Sequence, residues 1–279
     1  MRIVRVFPRR TKWTPVDDMS FVGDPPLQRP GADEVHVSCT FTWDIKKAER
    51  LQAAWGQYYP IVKIGGPAFG SPCNEFVPGR YICYGVTITS RGCNHKCPPC
   101  LAWRREGSLK ESETFPAGPV VQDNNLLQCN SSHLERVWAM LSNQYMIQFT
   151  GGIEAAMVTQ NTADRLRGLR IDQLFLACDT KEAIKPVRKA LKLLGMPRGT
   201  ARCYALLKYN PNETISEATE RMIEIWEAGA KPFAQLYQPP DRWIDYPLEW
   251  KNFQRTWQRP AVMWGFMKQI KANCQQGGK

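Results

Sequence analysis

Three thiols fall within the eight residues Cys93-Asn94-His95-Lys96-Cys97-Pro98-Pro99-Cys100. Thiolates are soft ligands, suited to zinc and to iron–sulfur clusters, and a tight loop gathers three of them at little extra entropic cost. The count is informative, because a closed structural zinc site or an ordinary cubane takes four protein ligands. Either a distant residue closes the set, or one coordination position is left for a small molecule. The first alternative is a zinc knuckle completed by His95 or His133.

The stretch that carries these thiols follows a strand-like run, Tyr84-Gly85-Val86-Thr87-Ile88-Thr89-Ser90. Apolar and alternating runs place further strands near residues 118–122, 145–150, 172–178, 202–208 and 231–237. Helical stretches separate most of them. Ser132-x-x-Glu135 reads as a capping box opening a helix that runs to about Asn143, and Thr214-x-x-Glu217 as another opening a helix that ends at Gly229. Thr180 can cap a helix that stops at Gly195. Strand then helix, repeated six times, implies a parallel α/β sheet that can curl into an incomplete (β/α)6, TIM-like barrel. In such folds chemistry collects at the carboxyl ends of the strands, where the cysteine loop lies.

Upstream, residues 1–33 lack a sustained period and read as an irregular, wrapping segment. A β-α-β unit follows, with a strand from Glu34 to Cys39, a helix near Lys46–Ala54 and a strand near Pro60–Ile64, placed to extend the barrel sheet or close its side. Residues 67–80 read as a loop. The chain therefore divides into an N-terminal extension (1–80), a core barrel (81–240) and an aromatic, basic helical tail (241–279). In that tail Trp243, Trp250, Trp257 and Trp264 recur every seventh residue. Such spacing keeps side chains near one helical face and suggests a packing stripe, interrupted at Pro260.

With 43% hydrophobic and 23% charged residues, the composition is that of a globular chain, which argues against disorder. No run is long enough to span a bilayer, and Met1 to Arg10 is not followed by an apolar secretory segment. These features point to a soluble, cytoplasmic protein, where ten cysteines signal metal or catalysis more than disulfides. A formal net charge of +11 suggests an anionic partner such as nucleic acid, although runs like Lys185-Pro186-Val187-Arg188-Lys189 also read as solvated helix faces.

Cys93-x-x-x-Cys97-x-x-Cys100 after the first of six β-α units resembles the radical S-adenosylmethionine enzymes. In that family three cysteines hold a [4Fe–4S] cluster, and the amino and carboxylate groups of S-adenosylmethionine chelate the fourth iron. The resemblance implies reductive cleavage to methionine and a 5′-deoxyadenosyl radical that abstracts hydrogen from a substrate it does not identify; the basic charge and tryptophan content favour a nucleic acid or nucleotide over a peptide or small metabolite. It also implies a low-potential reductant of the flavodoxin or ferredoxin type. It extends over about residues 80–240.

Carried over residue by residue, the resemblance gives Cys93, Cys97 and Cys100 as cluster ligands. Asp123, Asn124 and Asn125 end the second strand near the methionine moiety. Gly151 and Gly152 end the third, with Glu154 a partner for the ammonium group and Asp179 one for the ribose hydroxyls. Tyr209-Asn210-Pro211-Asn212-Glu213-Thr214 resembles the family's Gly-x-Pro-Gly-Glu-Thr turn, with asparagines where left-handed backbone is expected. Pro99 departs from the family's usual aromatic residue, and Trp103 is a replacement by position. No Asp-x-His-x-x-Gly cobalamin motif occurs in the extension.

Plainer readings stand beside these. Residues 123–125 also make an ordinary turn, the two glycines also serve close packing, and Asp179 also reads as a helix cap. Alternatives of another class are a zinc-stabilised nucleic-acid-binding module without catalysis and an iron–sulfur electron-transfer protein. The other seven cysteines, at 39, 73, 83, 129, 178, 203 and 274, show no ligand spacing, so no auxiliary cluster is expected.

Overall fold

The computed structural model describes residues 1–70, 76–239 and 242–276. Cys73 and the side chain of Cys274 lie outside the described residues.

Six strands form one all-parallel sheet: β5 (Val86–Thr87), β8 (Val120–Val121), β9 (Ile147–Phe149), β10 (Ile171–Ala177), β11 (Ala201–Leu207) and β12 (Lys231–Leu236). Their spatial order follows chain order, with β5 and β12 at the two edges. All six lie where the apolar runs put them. The helices α3 (Ser131–Ser142), α4 (Gln160–Arg167), α5 (Ile184–Leu194) and α6 (Ile215–Glu227) alternate with the last five strands. In α5 the buried Ile184, Val187, Ala190, Leu191 and Leu194 recur at helical spacing. They join Leu174, Leu176, Cys203, Ala205 and Leu207 in the main core, so those strand residues face the helices.

Alternation along a strand then places Phe175, Tyr204 and Phe233 on the opposite face. Phe175 and Tyr204 stack at 4.4 Å between centroids, and Phe233 meets both edge-on. Arg202 lies over the Phe175 ring, and Tyr204 Oη donates to the Thr150 carbonyl. The helix-free face is thus aromatic and polar.

The helix ends refine the sequence reading. The Thr214–Glu217 capping box forms as read, and Gly195 closes α5 in a left-handed conformation. For α3 the cap is Asn130, whose side chain accepts the His133 N–H, not Ser132. Thr180 does not cap α5 with its side chain; α5 begins later, after Ala183.

Residues 1–33 are more regular than their sequence suggests. β1 (Ile3–Phe7) and β2 (Ser20–Val22) join β3 (Glu34–Ser38) and β4 (Val62–Gly65) in a separate parallel sheet of order β2-β1-β3-β4. Helix α1 (Ile45–Gly56) covers it with Ala48, Leu51 and Trp55, which close a second, smaller core. The extension therefore does not lengthen the six-stranded sheet. It meets it instead through the segment after β1: Lys12 Nζ donates to Gln148 Oε1 at 3.3 Å, and the Trp13 carbonyl accepts the Cys83 N–H.

The tail forms α7 (Leu248–Gln258) and α8 (Pro260–Gln276), divided where Pro260 predicts. Trp250 and Trp257 are buried on α7. Trp264 packs edge-on to Trp226, while Trp243 leaves the stripe and meets Trp43. Among the described residues no helix is long and apolar enough to cross a membrane.

Candidate metal and cofactor site

The cysteine loop is held at a neck. Downstream of β5 the chain forms a two-residue strand, β6 (Ser90–Arg91), which pairs antiparallel with β7 (Lys110–Glu111). Between them lie the loop and a short helix, α2 (Ala102–Glu106). Just above the neck the Cys93 N–H donates to the Gly107 carbonyl. Gly92 is required here: its φ is +79°, and a Cβ would meet the Ser108 carbonyl oxygen at 2.3 Å. Two-residue strands carry no period, which is why this hairpin was not legible in the sequence.

Within the loop, Cys93 Sγ accepts from the His95 N–H and Cys100 Sγ from the Ala102 N–H, both at 3.4 Å. The Cys97 carbonyl accepts from Cys100 N–H at 3.1 Å and from Trp103 Nε1 at 2.9 Å. Trp103 therefore shapes the turn that holds the second cysteine. Burial pushes the Cys97 thiol up, and the nearby Cys100 and Cys93 thiolates add to that rise, followed by Glu154. A bound cation would relieve that repulsion.

Three residues read as cofactor ligands have distinct positions. Asp123 is 1% exposed, and its carboxylate accepts from the Thr89 N–H, Thr89 Oγ1 and Ser90 Oγ at 2.5–2.8 Å. It fastens β8 to the base of the cysteine loop. Burial raises its pKa despite those bonds. Asn124 Oδ1 accepts the Gly92 N–H at 2.9 Å, a second fastening. Asn125 faces the site itself: its Nδ2 donates to Glu154 Oε2 at 2.7 Å and lies 3.8 Å from Cys93 Sγ. Its Oδ1 is buried with no hydrogen-bond partner. An unsatisfied buried acceptor costs about 1–3 kcal/mol and points to a ligand donor.

Glu154 also contacts His95 Nε2 at 2.9 Å, so the carboxylate after β9 reaches the middle of the cysteine loop. Gly151 has a packing role: a Cβ there would meet the Asp123 carbonyl oxygen at 2.1 Å. Gly152 holds a φ of +94°. Asp179 stands apart from this group. Its Oδ1 accepts the Leu206 N–H at 2.9 Å, bridging the ends of β10 and β11, and burial raises its pKa. It does not cap α5. It lines a cleft of about 310 Å³ that also includes Lys181, Tyr209, Glu213 and Arg221.

The turn at 209–214 is built differently from the expectation. Among described non-glycine residues, positive φ occurs at Met146 and Lys208, not at Asn210 or Asn212. Glu213 holds the left-handed Lys208 by accepting its N–H at 2.6 Å, and pairs with the buried Arg221. Asn210 Oδ1 accepts the Asn212 N–H.

The donor set suits a thiolate-ligated cluster in kind and order: three cysteines, two of them accepting backbone N–H bonds, beside an unsatisfied acceptor. As positioned, however, no group of three or more His, Cys, Asp or Glu among the described residues stands closely enough to hold a metal ion. His133 does not belong to the site. It is 1% exposed, bonded to Thr89 Oγ1 and beside Arg136. Cys129 lies in the main core, where burial raises its thiol to about 11.

Gln128 and the rings of the helix-free face add to the set read from sequence, and His95, read there as a possible zinc ligand, meets Glu154. Gln128 accepts the Asn94 N–H at 2.8 Å, and Asn94 Oδ1 accepts the Leu109 N–H. The strict alternation of burial along Ala201–Leu207 is the signal that marks Arg202 and Tyr204 as facing away from the helices. The chain matches no family model, and no curated protein is significantly similar to it.

Proposed function

We propose that the chain is a radical S-adenosylmethionine enzyme, with the six-stranded sheet as an incomplete (β/α)6 barrel. One observation carries the reading. The Cys93–Cys97–Cys100 loop leaves the carboxyl-end side of the first strand in a sequentially ordered parallel sheet, and Asn125 and Glu154 reach it from the next two strand ends.

Cys93, Cys97 and Cys100 would hold a [4Fe–4S] cluster, whose chemistry when bound is electron donation that cleaves S-adenosylmethionine to methionine and a hydrogen-abstracting 5′-deoxyadenosyl radical. Asn125 Oδ1 and Glu154 are set to receive the ammonium group. Asp123 and Asn124 keep the loop and the second strand end in register. Phe175, Tyr204, Phe233 and Arg202 form the face on which a substrate would be oriented and water excluded. The basic charge and those rings favour a nucleic acid or nucleotide as substrate, and electrons would come from a flavodoxin- or ferredoxin-type protein in the cytoplasm.

Anaerobic reconstitution with iron and sulfide, followed by S-adenosylmethionine and dithionite, tests the reading. The expected result is brown protein that releases 5′-deoxyadenosine, with Cys97→Ala losing its iron and Cys274→Ala keeping it. Colourless protein with stoichiometric zinc would establish the zinc-stabilised module instead. A fully loaded cluster with no deoxyadenosine formed would leave electron transfer.

A further inference from the structure

The smaller sheet has its own crevice. In the order β2-β1-β3-β4 the chain runs from β1 to one side and then returns to place β3 on the other, so the order reverses between β1 and β3. All its pairings are parallel. In open parallel sheets that reversal separates the connections beyond the carboxyl ends of the two strands and leaves a gap where ligands bind.

A pocket of about 190 Å³ lies at that point. Phe7 and Arg9 enter it from the end of β1, and Ser38, Thr40 and Phe41 from the end of β3. Trp13 and Gln122 supply walls from the bridging segment and the end of β8. The pocket is therefore bordered by residues from both sheets, and the segment that bridges them forms part of its wall.

Its chemistry narrows the occupant. Arg9 is the cation of the lining and Asp44 the anion, and they are joined by two bonds of 2.5 and 2.6 Å. The lining is thus close to neutral despite the basic chain, and a phosphate would have to displace Asp44. Aromatic rings supply flat apolar surfaces, while hydroxyls and the Gln122 amide supply polar groups for an edge. The Gln122 amide nitrogen already donates to Thr150 Oγ1 at 2.7 Å, which leaves its carbonyl oxygen to accept. The volume lies below the roughly 300–1,000 Å³ of pockets for drug-sized ligands, so one ring or two fused rings fit better than a nucleotide.

We infer that this crevice binds a free purine or pyrimidine base: a small, neutral, planar molecule with an apolar face and a hydrogen-bonding edge. The inference does not depend on the cysteine loop or on radical chemistry.

The full chain without added metal is sufficient for the test. Isothermal titration with adenine, guanine, cytosine and uracil, alongside AMP, orthophosphate and benzoate, should give saturable binding for at least one base and weaker binding for the three anions. Gln122→Leu and Thr40→Val should each lower that base's affinity by tenfold or more. Thr40 is exposed, so its replacement leaves the core intact. Absence of binding by every base at millimolar concentration would overturn the inference. So would unchanged affinity in both variants, or tighter binding of any of the anions.

Discussion

Asn125 Nδ2 donates to Glu154 Oε2 at 2.7 Å, joining the ends of β8 and β9 directly beside the first cysteine of the loop. The contact is a charge-assisted bond that leaves Asn125 Oδ1 buried and unsatisfied. Strand order in the sheet has become adjacency of side chains at its edge.

On the proposed radical S-adenosylmethionine reading, Asn125→Ala should leave iron incorporation unchanged and weaken S-adenosylmethionine binding. A hydrogen bond involving a charged group is worth about 1.5–3 kcal/mol, or roughly 10- to 150-fold in Kd. Equilibrium dialysis of reconstituted protein, read together with iron content, checks it; parallel loss of iron would assign Asn125 to the loop's integrity instead.

Asp123 sets a pH dependence. Burial raises its folded-state pKa above the usual carboxylate value, so between those two values the folded state binds more protons than the unfolded chain. Its contribution is complete below the unfolded pKa and is lost as pH rises through the folded one, with a slope of at most about 1.4 kcal/mol per pH unit. His133, lowered by burial, acts in the opposite sense as its own window is crossed. Denaturant titrations of wild type and Asp123→Asn across pH isolate the Asp123 component as their difference, which should be largest in slope just above the ordinary carboxylate range.

Gly151→Ala should destabilise by about 1–3 kcal/mol, because its Cβ would press on the Asp123 backbone at 2.1 Å and neither strand end can yield cheaply. Gly199→Ala, which meets nothing within 4 Å, should stay within about 0.5 kcal/mol. Midpoints of chemical unfolding compare the two; similar values would show that the strand ends move apart freely.

Arg221→Met should be among the most damaging surface-remote changes. The buried guanidinium holds the Cys178, Asp179 and Leu206 carbonyls and Glu213 together, so its loss strips those carbonyls of a donor and leaves the partly buried Glu213 carboxylate, which keeps the Lys208 N–H, without its cation, at about 3–5 kcal/mol. Arg165→Met breaks an exposed pair with Glu135 and should cost under about 1 kcal/mol. Thermal melts of the two variants would separate the cases.

The six core strands were legible because each is an apolar run bounded by turn residues, and the Thr214 cap because its partner lies three positions away. The β1 and β2 strands were not: Ile3–Phe7 is short, carries Arg5 in its middle, and is followed by a proline-rich connection. Local competition explains the α3 cap, since Asn130 and Ser132 both suit the role and only tertiary packing chooses. Asp123 was visible as a polar strand end, but sequence does not reveal that its carboxylate turns inward. Nor does it reveal that Glu154 and His95, far apart in the chain, meet.

The neck between β6 and β7 fixes an order of events. In small zinc modules the metal-binding free energy is the folding free energy, and the empty chain stays unfolded. Here both ends of the cysteine loop are pinned by backbone pairing, and the leading end also by Asp123 and Asn124, all attached to a core that owes nothing to the loop's thiols. If the loop holds a cluster as proposed, assembly can finish before the metal arrives, and a chelator should strip the protein without melting it.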